Sequence, residues 1–241
     1  MKMLKSSSIV YFEREGRDNL AHVLRIVKRT LKRRPEMRSA KLVILTAEGE
    51  GPALAFSQLQ QFEPQIIAVT FPLDFFVKKG EERYYPRIHP KVRKLLDGVG
   101  VRVVTGRLPF DDIEGAVAHN QEMGLIRKVL STFGGSMPLA IQAVLQACDN
   151  GAVQTRERVI TITGDCALVV TASTTKEFLS KHAGLIVNEI LCKPQNMNIT
   201  KATVPAPLAT SKDLFDESTP LLGASNAGAL SPPTQDLGKK S

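Results

Sequence analysis

The strongest constraint on the fold is a series of short, unbroken apolar runs. Besides further strands read at Val101-Arg102-Val103-Val104-Thr105, Val159-Ile160-Thr161-Ile162 and Ala167-Leu168-Val169-Val170, they are Leu42-Val43-Ile44-Leu45 and Ile66-Ile67-Ala68-Val69-Thr70. A strand with one wet face alternates apolar with polar residues, whereas these runs do not, so they read as strands buried on both faces of a sheet. Between them lie segments with helical spacing. The clearest has Leu20, Val23, Leu24, Val27 and Leu31 at a 3.6-residue period and predicts a helix over 20–33. Strands alternating with helices imply βαβ units. The predicted class is therefore α/β, a three-layer α/β/α domain with a mostly parallel sheet.

The remaining elements follow from turn chemistry. Ile9-Val10-Tyr11-Phe12 reads as a short strand, and Asp18 or Asn19 as the cap of the first helix, which Pro35 ends. Pro52 suits a first helical position, predicting a helix over 53–61. Residues 71–90 are rich in aromatic and charged side chains and read as a loop or lid over one sheet edge. A short helix through Val92 and Leu96 ends at Gly98, residues 111–120 are ambiguous, and 121–131 reads as helix. After the turn Gly134-Gly135-Ser136, Pro138 opens a helix that Asp149-Asn150-Gly151 stops. Thr163-Gly164-Asp165 separates two strands, and Leu185 to Cys192 carries the last apolar element.

Composition narrows the setting. The chain has 241 residues, 43% hydrophobic and 23% charged, which is ordinary globular usage. No run of about 18 apolar residues could span a bilayer, and the opening residues lack the core of a secretion signal. The three cysteines, Cys148, Cys166 and Cys192, form no close pair, so a reducing cytoplasmic location is expected. No spacing of the four histidines suggests a metal site. Residues 1–7 are expected to be disordered, 8–195 to form the domain, and 196–241, rich in Pro, Ala and Ser, to be a disordered tail.

The net charge is +8, and much of it lies in Arg25, Lys28, Arg29, Lys32, Arg33, Arg34, Arg38 and Lys41. A stripe at i, i+3, i+4 and i+7 is either an anion or nucleic-acid patch or a solvated helix face. With no recognition motif beside it, the solvated face is preferred and nucleic acid is disfavoured as a partner. Aromatics make up only 5% of the chain, with no Trp, which argues against a base-stacking surface.

The order of several segments resembles the pyruvate kinase C-terminal (alpha/beta) domain-like family, in particular its stand-alone prokaryotic members. The segments are Ile9-Val10-Tyr11-Phe12-Glu13, the long helix, 41–45 with its Gly turn, 66–70, Phe133-Gly134-Gly135, 149–153 and Asn188-Glu189-Ile190-Leu191-Cys192-Lys193-Pro194. The likeness covers about residues 8–195. It implies a regulatory or ligand-binding module without pyruvate kinase activity, because the catalytic barrel needs about 250 residues of its own. It also implies flavin mononucleotide (FMN) as the first candidate ligand, its phosphate held by the turn after the second strand. The chain departs from that pattern at several points: Gly51 replaces a hydroxyl residue, Glu48 and Glu50 add negative charge, Phe71-Pro72-Leu73-Asp74 replaces a His-Thr-Gly-type loop, and an Arg-rich turn before the penultimate strand is missing.

Open α/β sheets bind ligands at the carboxyl ends of their strands. The turn Thr46-Ala47-Glu48-Gly49-Glu50-Gly51-Pro52 lies there, and its main-chain amides could hold an anion or simply make an ordinary βα turn. It is neither a Walker A loop nor a dinucleotide fingerprint. The expected ligand-contacting set is Thr46, Glu48, Gly49, Gly51, Thr70, Phe71, Gly134, Gly135, Thr163, Gly164 and Asp165. Ser131, Ser136, His119 and Asp149 supply the residue types of a hydrolase triad without its elbow motif, and no catalytic residue is assigned. Cys148 and Cys192 read as core packing. The expected function is binding of a phosphorylated small molecule in this cleft. The alternatives are a structural or interaction protein whose pocket has decayed, or a flavin-dependent enzyme; homo-oligomerisation stays open.

Overall fold

The computed structural model describes residues 8–79, 81–110, 121–134 and 136–196. The expectations for 1–7, 111–120, Gly135 and 197–241 lie outside the described residues. Seven strands form one sheet: β1 (Val10–Phe12), β2 (Leu42–Leu45), β3 (Ile66–Thr70), β6 (Arg102–Thr105), β7 (Arg158–Ile162), β8 (Ala167–Thr171) and β9 (Ile186–Pro194). Their spatial order is β1-β9-β8-β7-β2-β3-β6. The pairs β7–β2, β2–β3, β3–β6 and β1–β9 are parallel, while β8 runs antiparallel to both its neighbours. The sheet is thus mostly parallel, as the apolar runs predict.

Helices cover both faces. Val43, Ile67, Val69, Val159 and Val170 pack with α5 (Met137–Asp149) in one buried cluster. The intervening residues face the other way, since side chains alternate along a strand. There a Cβ on Gly51 of α2 (Glu50–Leu59) would sit 3.0 Å from Ile44 Cγ2. That contact explains a glycine at 51: any side chain would press into β2.

α1 (Leu20–Arg33) has the predicted bounds, with Leu20, Val23, Leu24, Val27 and Leu31 buried. Its cap differs from expectation. Asn19 has helical backbone angles and makes no side-chain cap; its amide donates to the Arg14 carbonyl at 2.8 Å. A 3-10 turn at Arg17–Asn19 leads into the helix instead. α2 starts at Glu50, so Pro52 is its third residue. The shift costs little, because the first four helical N–H groups have no intrahelical partner anyway.

The segment 71–90 is more ordered than a plain loop. It contains an antiparallel hairpin, β4 (Val77–Lys79) with β5 (Glu82–Tyr84), followed by α3 (Pro90–Gly98). α4 (Gln121–Ser131) matches its predicted span. The last apolar element is one strand, β9, whose pairing with β8 carries two register irregularities. Among the described residues no helix is long and apolar enough to cross a membrane.

Gly49 precedes α2 with φ +98°, and a Cβ there would stand 2.8 Å from Val92 Cγ1 of α3. The Gly49→Ala variant is expected to lose about 1–3 kcal/mol, from backbone strain and overpacking together. Urea denaturation followed by circular dichroism checks this; an unchanged midpoint would contradict the tight approach of α3.

Candidate functional site

Strand register brings the predicted residues to one edge. Val69 pairs with Leu45 and Ile44 with Ile162, so Thr46, Thr70 and Thr163 leave their strands at the same carboxyl end. All three are buried, as is Asp165. Backbone bonds tighten the edge: the Thr46 N–H donates to the Val69 carbonyl at 2.9 Å, and the Gly106 N–H to Thr70 at 3.4 Å.

At the mouth of the β2–α2 turn, the chain supplies its own anion. The Glu50 carboxylate accepts the Thr46 hydroxyl at 2.9 Å and the Glu48 N–H at 3.2 Å, both through Oε2. The Thr46 hydroxyl in turn accepts the Gly49 N–H at 2.9 Å. The other oxygen, Oε1, pairs with the Arg17 guanidinium. Main-chain amides and the helix dipole favour a negative charge here, and Glu50 provides it. Glu48 is engaged separately: it accepts the Tyr84 hydroxyl from the hairpin. Burial and then this bond to a carboxylate push the Tyr84 phenol well above its ordinary pKa.

A similar arrangement fills the second turn. Asp165 accepts the Gly16 N–H at 2.9 Å and the Ser136 hydroxyl, while Thr163 donates to Ser136 at 2.9 Å. Ser136 immediately precedes α5, so this carboxylate lies beside the start of the second helix at this edge. Burial raises the Asp165 pKa; the hydrogen bonds from Ser136 and Gly16 pull it back only in part. Gly164 is required by crowding, since an added Cβ would come within 3.1 Å of the Arg17 Cα. Arg17 therefore touches one turn with its backbone and the other with its side chain.

The other predicted residues are placed less centrally. Phe71 stacks on Phe75 with ring centroids 4.5 Å apart. Gly134 lies against Lys193 and Pro194. Asp149 holds the loop after β8, accepting the Thr175 N–H at 2.9 Å and its hydroxyl at 2.5 Å. His119 lies outside the described residues. Burial raises the Cys148 and Cys192 thiols to about 12 and Cys166 well above the ordinary thiol value, so all three are protonated at neutral pH and unsuited to nucleophilic work. Among the described residues no group of three or more His, Cys, Asp or Glu side chains is placed to hold a metal ion.

Sequence reasoning missed Arg17 and Tyr84 as parts of the edge, along with two buried glutamines of α5. Gln142 Oε1 accepts the Phe110 N–H at 2.6 Å, and Gln146 Nε2 donates to the Thr70 carbonyl at 3.3 Å. Their opposite ends, Gln142 Nε2 and Gln146 Oε1, have no partner among the described residues, and neither does Thr70 Oγ1. Two polar residues four apart on an otherwise apolar helix were the available signal. No protein-family model matches the chain.

The raised Asp165 pKa has a definite sign for stability. The folded chain holds this proton more tightly than the unfolded one, so stability falls as pH rises from the ordinary Asp value of about 3.9 through the raised one. Asp165→Asn keeps an acceptor for the Gly16 amide and cannot ionise. Urea midpoints measured across that acidic range should decline less with rising pH in the variant than in the parent; parallel curves would refute the assignment.

Proposed function

We propose that this chain acts as a structural or interaction module whose carboxyl-edge mouth is closed by its own carboxylates. One observation carries the reading: Glu50 takes the hydrogen-bond donors of the β2–α2 turn and is neutralised by Arg17. An incoming phosphate would have to displace a tethered carboxylate that already has three partners. It would also meet Glu48 beside it, and like charges about 6–8 Å apart repel by about several tenths of a kcal/mol. At the second turn, the other wall of the expected cleft, Asp165 is likewise engaged within the chain, by the Gly16 N–H and the Ser136 hydroxyl. In this reading the sheet is a rigid platform and the outer surfaces do the work.

A second reading, binding of a phosphorylated small molecule with FMN as first candidate, is favoured by a separate observation. Thr70 Oγ1, Gln142 Nε2 and Gln146 Oε1 are buried without partners among the described residues. Such atoms cost about 1–3 kcal/mol each when left unpaired, and a polar guest would satisfy them.

One experiment separates the two. Protein purified without added ligand is examined by visible absorbance and by mass spectrometry of whatever co-purifies. Melting is then followed with millimolar FMN and with millimolar inorganic phosphate. The closed-mouth reading expects no flavin band and no change in melting temperature; stoichiometric flavin or a clear upward shift would replace it with the second reading. Independently, Glu50→Ala should cost about 1–3 kcal/mol by urea denaturation, because it strips an acceptor from buried donors and a counter-charge from Arg17. A neutral outcome would show that the clasp does not hold this edge together.

A further inference from the structure

We propose that the outward face of α1 is a docking surface for nucleic acid, engaged through its phosphate backbone without base readout. This names a partner class for the interaction reading above and rests on it; it reverses the preference for a solvated face drawn from the sequence, because among the described residues the structure gives these cations no carboxylate partner.

On a wheel of 100° per residue, Arg25, Lys28, Arg29, Lys32 and Arg33 fall within an arc of about 140°, opposite the buried residues of the helix. Arg25, Arg29, Lys32 and Arg33 are exposed and Lys28 is half-buried. Among the described residues, none of these five side chains makes a hydrogen bond or ion pair. The neighbouring basic residues behave differently. Arg34 grips Glu189 through two bonds of 2.5 and 2.9 Å, and Lys41 pairs with Glu157 at 3.0 Å. The fold thus consumes the cations beyond the helix and leaves those on its outer face uncommitted. Glu36 is the only acid between residues 19 and 47.

Geometry and charge select the partner. The cations recur once per turn over about 12 Å of helix, a spacing that offers several to one run of phosphates. A net charge of +8 adds long-range attraction. The stripe has no Asn or Gln to pair with adenine, and its Arg and Lys heads are matched by a run of phosphates without any base contact. An acidic membrane is the less fitting polyanion. Surface helices that bind bilayers bury an apolar face in the headgroup region, and here Leu20, Val23, Leu24, Val27 and Leu31 are all spent in the core.

The test is fluorescence anisotropy of the full chain with a labelled duplex DNA of about 20 base pairs, titrated from about 50 to about 200 mM salt. Engaging three to five phosphates predicts a log–log salt slope of about −3 to −4.5. Arg25→Glu with Arg29→Glu should weaken binding at least about tenfold and flatten the slope by about two. Lys176→Glu with Lys181→Glu changes the net charge equally at exposed positions outside the stripe and should leave affinity near the parent value. Arg25→Gln with Arg29→Gln repeats the test should charge reversal disturb the helix. The proposal is overturned if the parent does not bind at low salt, if both charge-reversed pairs lose affinity equally, or if phosphatidylserine vesicles capture the chain in preference to DNA. Its failure is distinguishable from that of the closed-mouth reading. A null DNA result with no flavin or phosphate response removes only the partner class; a flavin or phosphate response removes the interaction reading itself.

Discussion

The arrangement at the carboxyl edge depends on one partly buried charge, the Glu50 carboxylate at the start of α2. A helix begins with amide groups that have no intrahelical partner and a positive dipole end, so it asks for an anion. In many α/β proteins that demand is met by a ligand. Here it is met by the first residue of the helix, reaching back to the Thr46 hydroxyl and the Glu48 amide. A carboxylate in so enclosed a place would be costly alone; Arg17 makes it tolerable by supplying the opposite charge.

Arg17 owes its position to the path of the N-terminal segment. β1 lies at the outer edge of the sheet beside β9, and the chain must cross the carboxyl ends to begin α1. On that crossing the Gly16 amide meets Asp165 and Arg17 passes over Gly164. The same few residues therefore close both turns. α1 then continues from this strap with its apolar face committed to the core and its cations turned away from it. The contacts at the edge and the outward turn of the basic face both follow from one connection.

The fold was largely legible in the sequence because hydrophobic periodicity is a local signal. The bounds of α1, β2 and β3 follow from where apolar spacing starts and stops, and the structure keeps them. Local signals failed where long-range contacts decided. Asn19 has the chemistry of a cap, yet its amide is drawn to Arg14, five residues back. The hairpin within 71–90 has no apolar alternation to announce it; its Tyr84 is anchored by Glu48, 36 residues away. The orientation of β8 was likewise outside the reach of composition, since an apolar run carries no direction.

By itself the sequence determined the α/β class, the alternation of buried strands with amphipathic helices and the positive surface of α1, all properties written in the spacing of residue types. It also brought Thr46, Thr163 and Asp165 under suspicion, since strand ends carry turns. Tertiary structure alone decided what those residues contact. Which cation pairs with the carboxylate in the glycine-rich turn depends on which distant side chain arrives there. That choice was made by the path of residues 13–19 over the sheet edge, where an arginine and a main-chain amide reach carboxylates 33 and 149 positions along the chain.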